Sequence, residues 1–305
     1  MSGTDMSEHT YSYLSSVGFR VFLTTLSHPM EYAKFLIQIG HEPMAPYRTR
    51  SLLGKPVQAL PNVFRYVKYI KEMDGFVGCY RGYFPKITGQ ICGAVAAAAV
   101  TKNFNSVESF NPIEDEMSDE EKISYLKRSL TKDIVGRTVT IVVSHPFVVI
   151  SGRMMAQFVG GEDIYNGFFS SIVEIYKEQG LSGFFSGLFP RWLGELTTLI
   201  LSSFIVFAIN NYVIHDRELK AFTTPTINFV ANSLTYPFCV VSSCMAVNNC
   251  GLAAGLPPNM PIYKNWAHCW VHLSRQGLLN RGSSLLIRYY HGPSRSSNLN
   301  TEINF

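Results

Sequence analysis

The sequence predicts an all-α membrane protein built from three imperfect repeats, with five transmembrane helices. Three observations carry that reading. Charge is scarce: 16% of the 305 residues are charged, against about 25% in an average soluble protein. Five apolar stretches are each long enough to cross the hydrocarbon core as a helix. A proline also recurs three times in the same local setting. Mean hydropathy is only +0.09, so the spans must carry polar residues or be diluted by polar loops.

The stretches lie at residues 13–39, 83–104, 129–159, 188–213 and 223–248, each exceeding the roughly 20 residues a helix needs to span a bilayer. A soluble helical bundle could use similar segments, but "TLILSSFIVFAI" runs a dozen residues without a charge, which favours lipid. The second stretch contains "ITGQICGAVAAAAV", a small-residue run that lets neighbouring helix backbones approach closely. The first, third and fifth contain "SHPMEYAK", "SHPFVVISGR" and "TYPFCVVSS", which place Pro29, Pro146 and Pro237 in register as helix-kink positions. Downstream, "KEMDGFVGCYRGYFPK", "KEQGLSGFFSGLFPR" and "SRQGLLNRGSSLLIR" align Gly75, Gly180 and Gly277, then Gly82, Gly187 and Gly282. Between spans, "NVFRYVKYIKEM", "GFFSSIVEIYKEQ" and "NWAHCWVHLSRQ" carry apolar residues at i, i+3, i+4 and i+7, the pattern of helices lying on a membrane surface. The chain thus divides into repeat one (13–104), an acidic linker (105–128), repeat two (129–213), a truncated repeat three (223–290) and a polar C-terminal tail (291–305).

Several function classes lose support. The net charge of +4 is spread out and lacks basic clusters interleaved with aromatics, which argues against nucleic acid. No phosphate loop, nucleophile elbow or metal-spaced His/Cys set is present, so neither an enzyme nor a cofactor or metal site is expected. Six cysteines without a C-x-x-C pair read as reduced thiols. The N-terminus has two acids and no base before Arg20, unlike a secretory signal or an Arg-rich presequence. His28 and His145, each preceding a proline, read as hydrogen-bond partners at helix kinks rather than as ligands.

The threefold Pro-x-[Asp/Glu]-x-x-[Lys/Arg] pattern, followed by an acid-Gly pair, an aromatic and a basic-Gly pair, resembles the mitochondrial carrier superfamily. "YAKFLIQIGHEP", "VNNCGLA", "PPNMPIY" and "NRGSSLLIR" resemble the mitochondrial carrier homolog family within it. The resemblance implies six tilted helices around a threefold pseudoaxis, gated by three acid-base pairs that interlock as a ring. This sequence departs from that pattern twice. Glu31 and Lys34 are retained as a vestigial gate pair, but the matching positions are Val148 and Ser151 in repeat two and Cys239 and Ser242 in repeat three. Where a sixth helix would begin, the chain runs "YYHGPSRSSNLNTEINF", too short and polar to span, so a lateral groove open to lipid is expected.

The groove would be lined by Lys34 and Gln38, one turn apart on the first span, and by Arg153 on the third. Glu195 on the fourth span and Asn228, Asn232 and Tyr236 on the fifth would complete it. Arg137, Gln157, Arg191, Thr198, Ser202 and Ser233 are further polar candidates. A charge at bilayer depth costs about 2.5–3.5 kcal/mol on insertion scales, so several together imply a hydrated cavity or mutual pairing. The simpler alternative is local pairing of Glu31 with Lys34 and of Arg191 with Glu195. The family resemblance implies a multi-pass insertase of the outer mitochondrial membrane. Its partners would be tail-anchored and other α-helical clients and phospholipids, which it would also scramble, together with an apoptotic protein. The competing expectations are a mitochondrial solute carrier and a membrane receptor for apoptotic factors that uses the acidic linker.

Overall fold

The computed structural model describes residues 3–50, 54–105, 118–214 and 216–290. Five long helices dominate it: α1 (Gly3–Ile39), α3 (Tyr83–Asn105), α4 (Asp119–Ala156), α6 (Leu188–Tyr212) and α7 (Arg217–Val247). Three shorter helices, α2 (Val63–Gly78), α5 (Phe168–Gly183) and α8 (Trp266–Arg275), fall on the three amphipathic strings. Each repeat therefore reads long helix, loop, short helix, with a second long helix following in the first two. By length and apolarity, α4, α6 and α7 can cross a membrane.

Two expectations need correction. The linker at 105–128 is not all linker, because α4 begins at Asp119 and runs unbroken into the third apolar stretch. Ser118 caps it: its hydroxyl accepts from the Glu121 amide, and the Glu121 carboxylate accepts from the Ser118 amide. Acids in a first helical turn also complement the positive end of the helix dipole, so "SDEE" starts a helix. The linker acids Glu108, Glu114, Asp115 and Glu116, like the tail at 291–305, lie outside the described residues. The second correction concerns strands. The loop after α1 folds as a hairpin of β1 (Tyr47–Arg50) and β2 (Pro56–Leu60), and β3 (Arg288–Tyr289) adds antiparallel to β2. Residues 288–289, near where a sixth helix would start, are thus extended. Arg288 holds them there, donating from Nη1 to the Pro61 carbonyl at 2.9 Å and pairing with Glu42.

Pro29, Pro146 and Pro237 each sit inside a continuous helix, in α1, α4 and α7. Just beyond each proline the helix turns apolar and buried: Tyr32, Leu36 and Ile37 in α1, Val149 and Ile150 in α4, Val240 and Val241 in α7. These segments converge and are underlaid by Tyr66 and Ile70 of α2, Ile175 of α5 and Leu273 of α8, forming one packed base. The opposite halves of the long helices contribute little to this core.

The base repeats its hydrogen bonds as well as its packing. His28 donates to the Arg81 carbonyl at 2.9 Å, His145 to the Ser186 carbonyl at 3.0 Å and Tyr236 to the Arg281 carbonyl at 3.1 Å. Each donor immediately precedes a repeat proline, and each acceptor immediately precedes the second repeat glycine. Those glycines, Gly82, Gly187 and Gly282, have φ of 74°, 80° and 78°, a backbone region costly for residues with a Cβ. A Cβ on Gly187 would also stand 2.5 Å from the Ser242 carbonyl oxygen.

Candidate functional site

Above the base, α3, α4, α6 and α7 enclose a polar cavity of about 770 Å³. Its wall is charged on α4, through Lys132, Asp133 and Arg137, and on α6, through Glu195. Thr198, Ser202, Asn228 and Asn232 continue the polar lining on α6 and α7, while Ala97 and Ala98 of α3 supply an apolar side. Small residues let the walls meet at their lower edge: a Cβ on Gly194 would lie 2.6 Å from the Phe238 Cβ, and one on Gly89 2.7 Å from the Phe147 Cβ.

Glu195 is the electrostatic centre of this wall. Its Oε1 accepts from Arg191 Nε at 2.9 Å, and its Oε2 lies 3.6 Å from Arg137 Nη1. One carboxylate thus faces two guanidiniums, one from its own helix and one from α4. Arg191 reaches further, to His145 Nδ1 and Ser144 Oγ, both at 3.4 Å. The local pairing of Arg191 with Glu195 forms, yet Glu195 still lines the cavity.

The other predicted groove residues separate into two groups. Lys34, Gln38 and Tyr236 meet at the seam where α1 crosses α7. The Lys34 ammonium lies 4.9 Å from the centre of the Tyr236 ring, and Gln38 donates to the Tyr236 hydroxyl at 2.9 Å. Gln38 also accepts from Ser243 at 2.9 Å and is buried. These three come together, but as part of the base and apart from the cavity lining.

Arg153 goes elsewhere. It has no exposed surface and donates to the Ala246 carbonyl at 3.1 Å and to Gln179 Oε1 at 2.6 Å, with Glu178 Oε2 at 3.5 Å. It joins α4, α5 and α7 within the packed base, so it cannot line a groove as expected from its place on the third stretch. Gln157 is buried beside it and closes both hydrogen bonds onto the Tyr165 backbone. The reason is geometric: Arg153 lies beyond Pro146, on the half of α4 that belongs to the base, and Gln157 caps the end of that half.

The gate pair also has a different partner from the expected one. Glu31 pairs with Lys86 of α3 and accepts from Ser27 at 2.7 Å, while Lys34 faces Tyr236. In the other repeats the basic position has become serine. Ser151 donates to the Gly82 carbonyl at 2.8 Å and Ser242 to the Gly187 carbonyl at 2.9 Å. Ion pairs that would open and close are replaced at those two junctions by neutral side chain to backbone bonds. Sequence reasoning missed these serines as functional because it scored them only as lost charges; their register with Lys34 was the available signal.

Comparisons with known proteins agree with the repeat geometry. The family described as "Mitochondrial carrier protein" matches residues 7–108 and 129–216. "Mitochondrial carrier homolog 2" from Homo sapiens is 37% identical over 274 residues, covering 87% of this chain and 90% of that protein. "Mitochondrial carrier homolog 1" from Mus musculus is 39% identical over 295 residues, covering 87% of this chain and 74% of that one. "ADP/ATP translocase 4" from Bos taurus is 28% identical over 135 residues, 43% of this chain.

Proposed function

Because the chain belongs to the mitochondrial carrier homolog family, a divergent branch of the mitochondrial carriers, we propose that it uses a one-sided polar cavity to insert α-helical proteins into the outer mitochondrial membrane. In this reading α1, α3, α4, α6 and α7 all span the bilayer. The gap between α1 and α7, which a sixth helix would otherwise fill, opens toward lipid. The hydrophilic flank of a tail-anchored client enters the cavity, and its apolar helix leaves sideways between α1 and α7.

The observation that carries this reading is the pairing of a charged and polar cavity between the long helices with a base held by neutral bonds. In this reading the charges of Arg137, Glu195 and Lys132 in the cavity wall would offer an aqueous site at bilayer depth, where a polar client segment would otherwise meet hydrocarbon at a cost of several kcal/mol per group. Transfer of an apolar helix into lipid is favourable by itself, so no nucleotide is needed. Phe22 and Leu26 of α1 and Phe229 and Leu234 of α7 are large, apolar and exposed in the isolated chain, as lipid-facing or helix-facing positions are. The same polar wall would carry phospholipid headgroups, which is the basis for assigning it scrambling as well.

Purified protein in liposomes should accelerate insertion of a tail-anchored client, measured by protease protection of its lumenal tag. Insertion no faster than in empty liposomes overturns the reading. E195R places three guanidiniums together in the cavity and should lower the initial rate by about tenfold, with helix content and melting unchanged. One observation favours a solute carrier instead, since about 770 Å³ is the size of a small-molecule site. Saturable exchange of a labelled metabolite, with no effect on client insertion, would decide for that alternative.

A further inference from the structure

The cavity wall has one guanidinium to spare. Arg191, Glu195 and Arg137 set two cations around one carboxylate, so the row carries one positive charge in excess. Arg191 is well engaged: it holds Glu195 at 2.9 Å and has His145 and Ser144 as further neighbours. Arg137 is not. Its Nη1 stands 3.6 Å from Glu195 Oε2, beyond hydrogen-bond length, and its side chain is 50% exposed. Among the described residues Arg137 has no other polar partner, so the rest of its planar fork is open to the cavity it lines. Lys132 and Asp133, next to each other on the same helix, are of opposite sign and both have partners.

Helix α7 adds a second unused set. Asn228 and Asn232 lie one turn apart on one face of the helix and both line the cavity. Among the described residues neither carboxamide has a hydrogen-bond partner. Each offers two donors and an acceptor, which is the complement of the N–H and C=O that a peptide unit presents. A phosphate diester has acceptors only and would leave the carboxamide oxygens without a donor.

We propose that the cavity is a receptor for a peptide α-carboxylate, with Arg137 taking the carboxylate on its open edge and Asn228 and Asn232 taking the last peptide groups of the chain. The proposal deepens the insertion reading and rests on it for its ligand, since the flank of a tail-anchored client that crosses the membrane is the end of the chain. Guanidinium and carboxylate match as two parallel, charge-assisted bonds, and one monoanion balances the excess charge of the row. An unpaired carboxylate is among the groups that hydrocarbon excludes most strongly, so pairing it with Arg137 removes a large part of the cost of bringing the tail to bilayer depth. The volume of about 770 Å³ suits a peptide end of drug-like size rather than a folded domain. Arg137 is thus the residue that selects clients by their C-terminus.

The test uses the full chain in nanodiscs and a fluorescent Gly-Ser-Gly-Ser peptide, made once with a free α-carboxylate and once as the amide. The acid should bind about tenfold more tightly than the amide. R137Q leaves Glu195 paired with Arg191, so the fold is retained, and it should abolish the difference. R137K should keep part of it, because lysine returns the charge without the fork. N228A and N232A should weaken acid and amide alike. In liposomes a tail-anchored client with a free C-terminus should insert faster than the same client amidated, and R137Q should equalise the two. Equal binding of acid and amide by the wild type overturns the proposal, and the insertion reading survives that result if both clients still insert. Preference for the acid peptide with insertion of neither client leaves the carboxylate site standing and removes the insertion reading. Displacement of the acid peptide by glycerophosphate at equal concentration assigns Arg137 to phosphate and overturns the proposal as well.

Discussion

Arg153 carries a full charge with no exposed surface, so its neighbours must replace the water it lost. Ala246, Gln179 and Glu178 do so from two other helices, and that makes the side chain a structural bracket. Truncating one partner of such a buried set typically costs about 3–5 kcal/mol, because the remaining groups are left unpaired. R153A should therefore lower the melting temperature sharply in a dye-based thermal scan in detergent, where a groove-lining arginine would barely shift it. Glu31 leads to the opposite expectation for its former partner. Its pairing with Lys86 leaves Lys34 on the Tyr236 ring, a cation-aromatic contact worth about 0.5–2 kcal/mol. E31Q should leave the Lys34 contact and the α1–α7 seam intact, whereas K34E should loosen that seam. Hydrogen exchange at residues 34–38 separates the two outcomes. The chemistry of these residues was legible from their types; their partners were not, since partners lie tens to hundreds of positions away in the chain.

Among elements, the second repeat glycines are where sequence and packing meet most tightly. Gly180 and Gly187 both have positive φ, at 64° and 80°, but a Cβ at Gly180 meets nothing within 4 Å while one at Gly187 meets the Ser242 carbonyl at 2.5 Å. Backbone strain alone costs about 1–2 kcal/mol at such a position. G180A should lose about that much in chemical denaturation, and G187A distinctly more, because α6 must also move off α7. The repeat spacing made both glycines visible in advance, but not which of them presses against another helix. Capping was equally local for α4: Ser118 and Glu121 mark its start in the sequence, and reading "SDEE" as linker overlooked a signature four residues long. The β1–β2 hairpin escaped notice for another reason. Its partner β3 arrives from more than 200 residues away, and two short strands rarely persist without a third to pair with or a surface to pack on.

For the molecule as a whole, the decisive feature is a packed base joining the long helices, with a polar cavity between α3, α4, α6 and α7 beyond it. Three equivalent bonds from the residue before each proline, and two serine to glycine-carbonyl bonds, tie the base together without a ring of charges. Neutral bonds of this kind contribute about 1 kcal/mol each, and the proposed function takes these five, above a packed apolar core, as a fixed closure. An N232C variant should therefore react with a membrane-impermeant maleimide from one side of a sealed liposome only, whatever solute is added. Labelling from both sides would point to a working carrier cycle. Sequence alone determined the threefold repeat, the long and short helices within it and the loss of two charge pairs, because periodicity and local spacing act over distances the chain itself spans. Only the tertiary structure decided which polar residues became cavity and which became base. Residues about four turns apart on one helix, such as Arg137 and Arg153 on either side of Pro146 in α4, end in different surroundings once other segments pack against them.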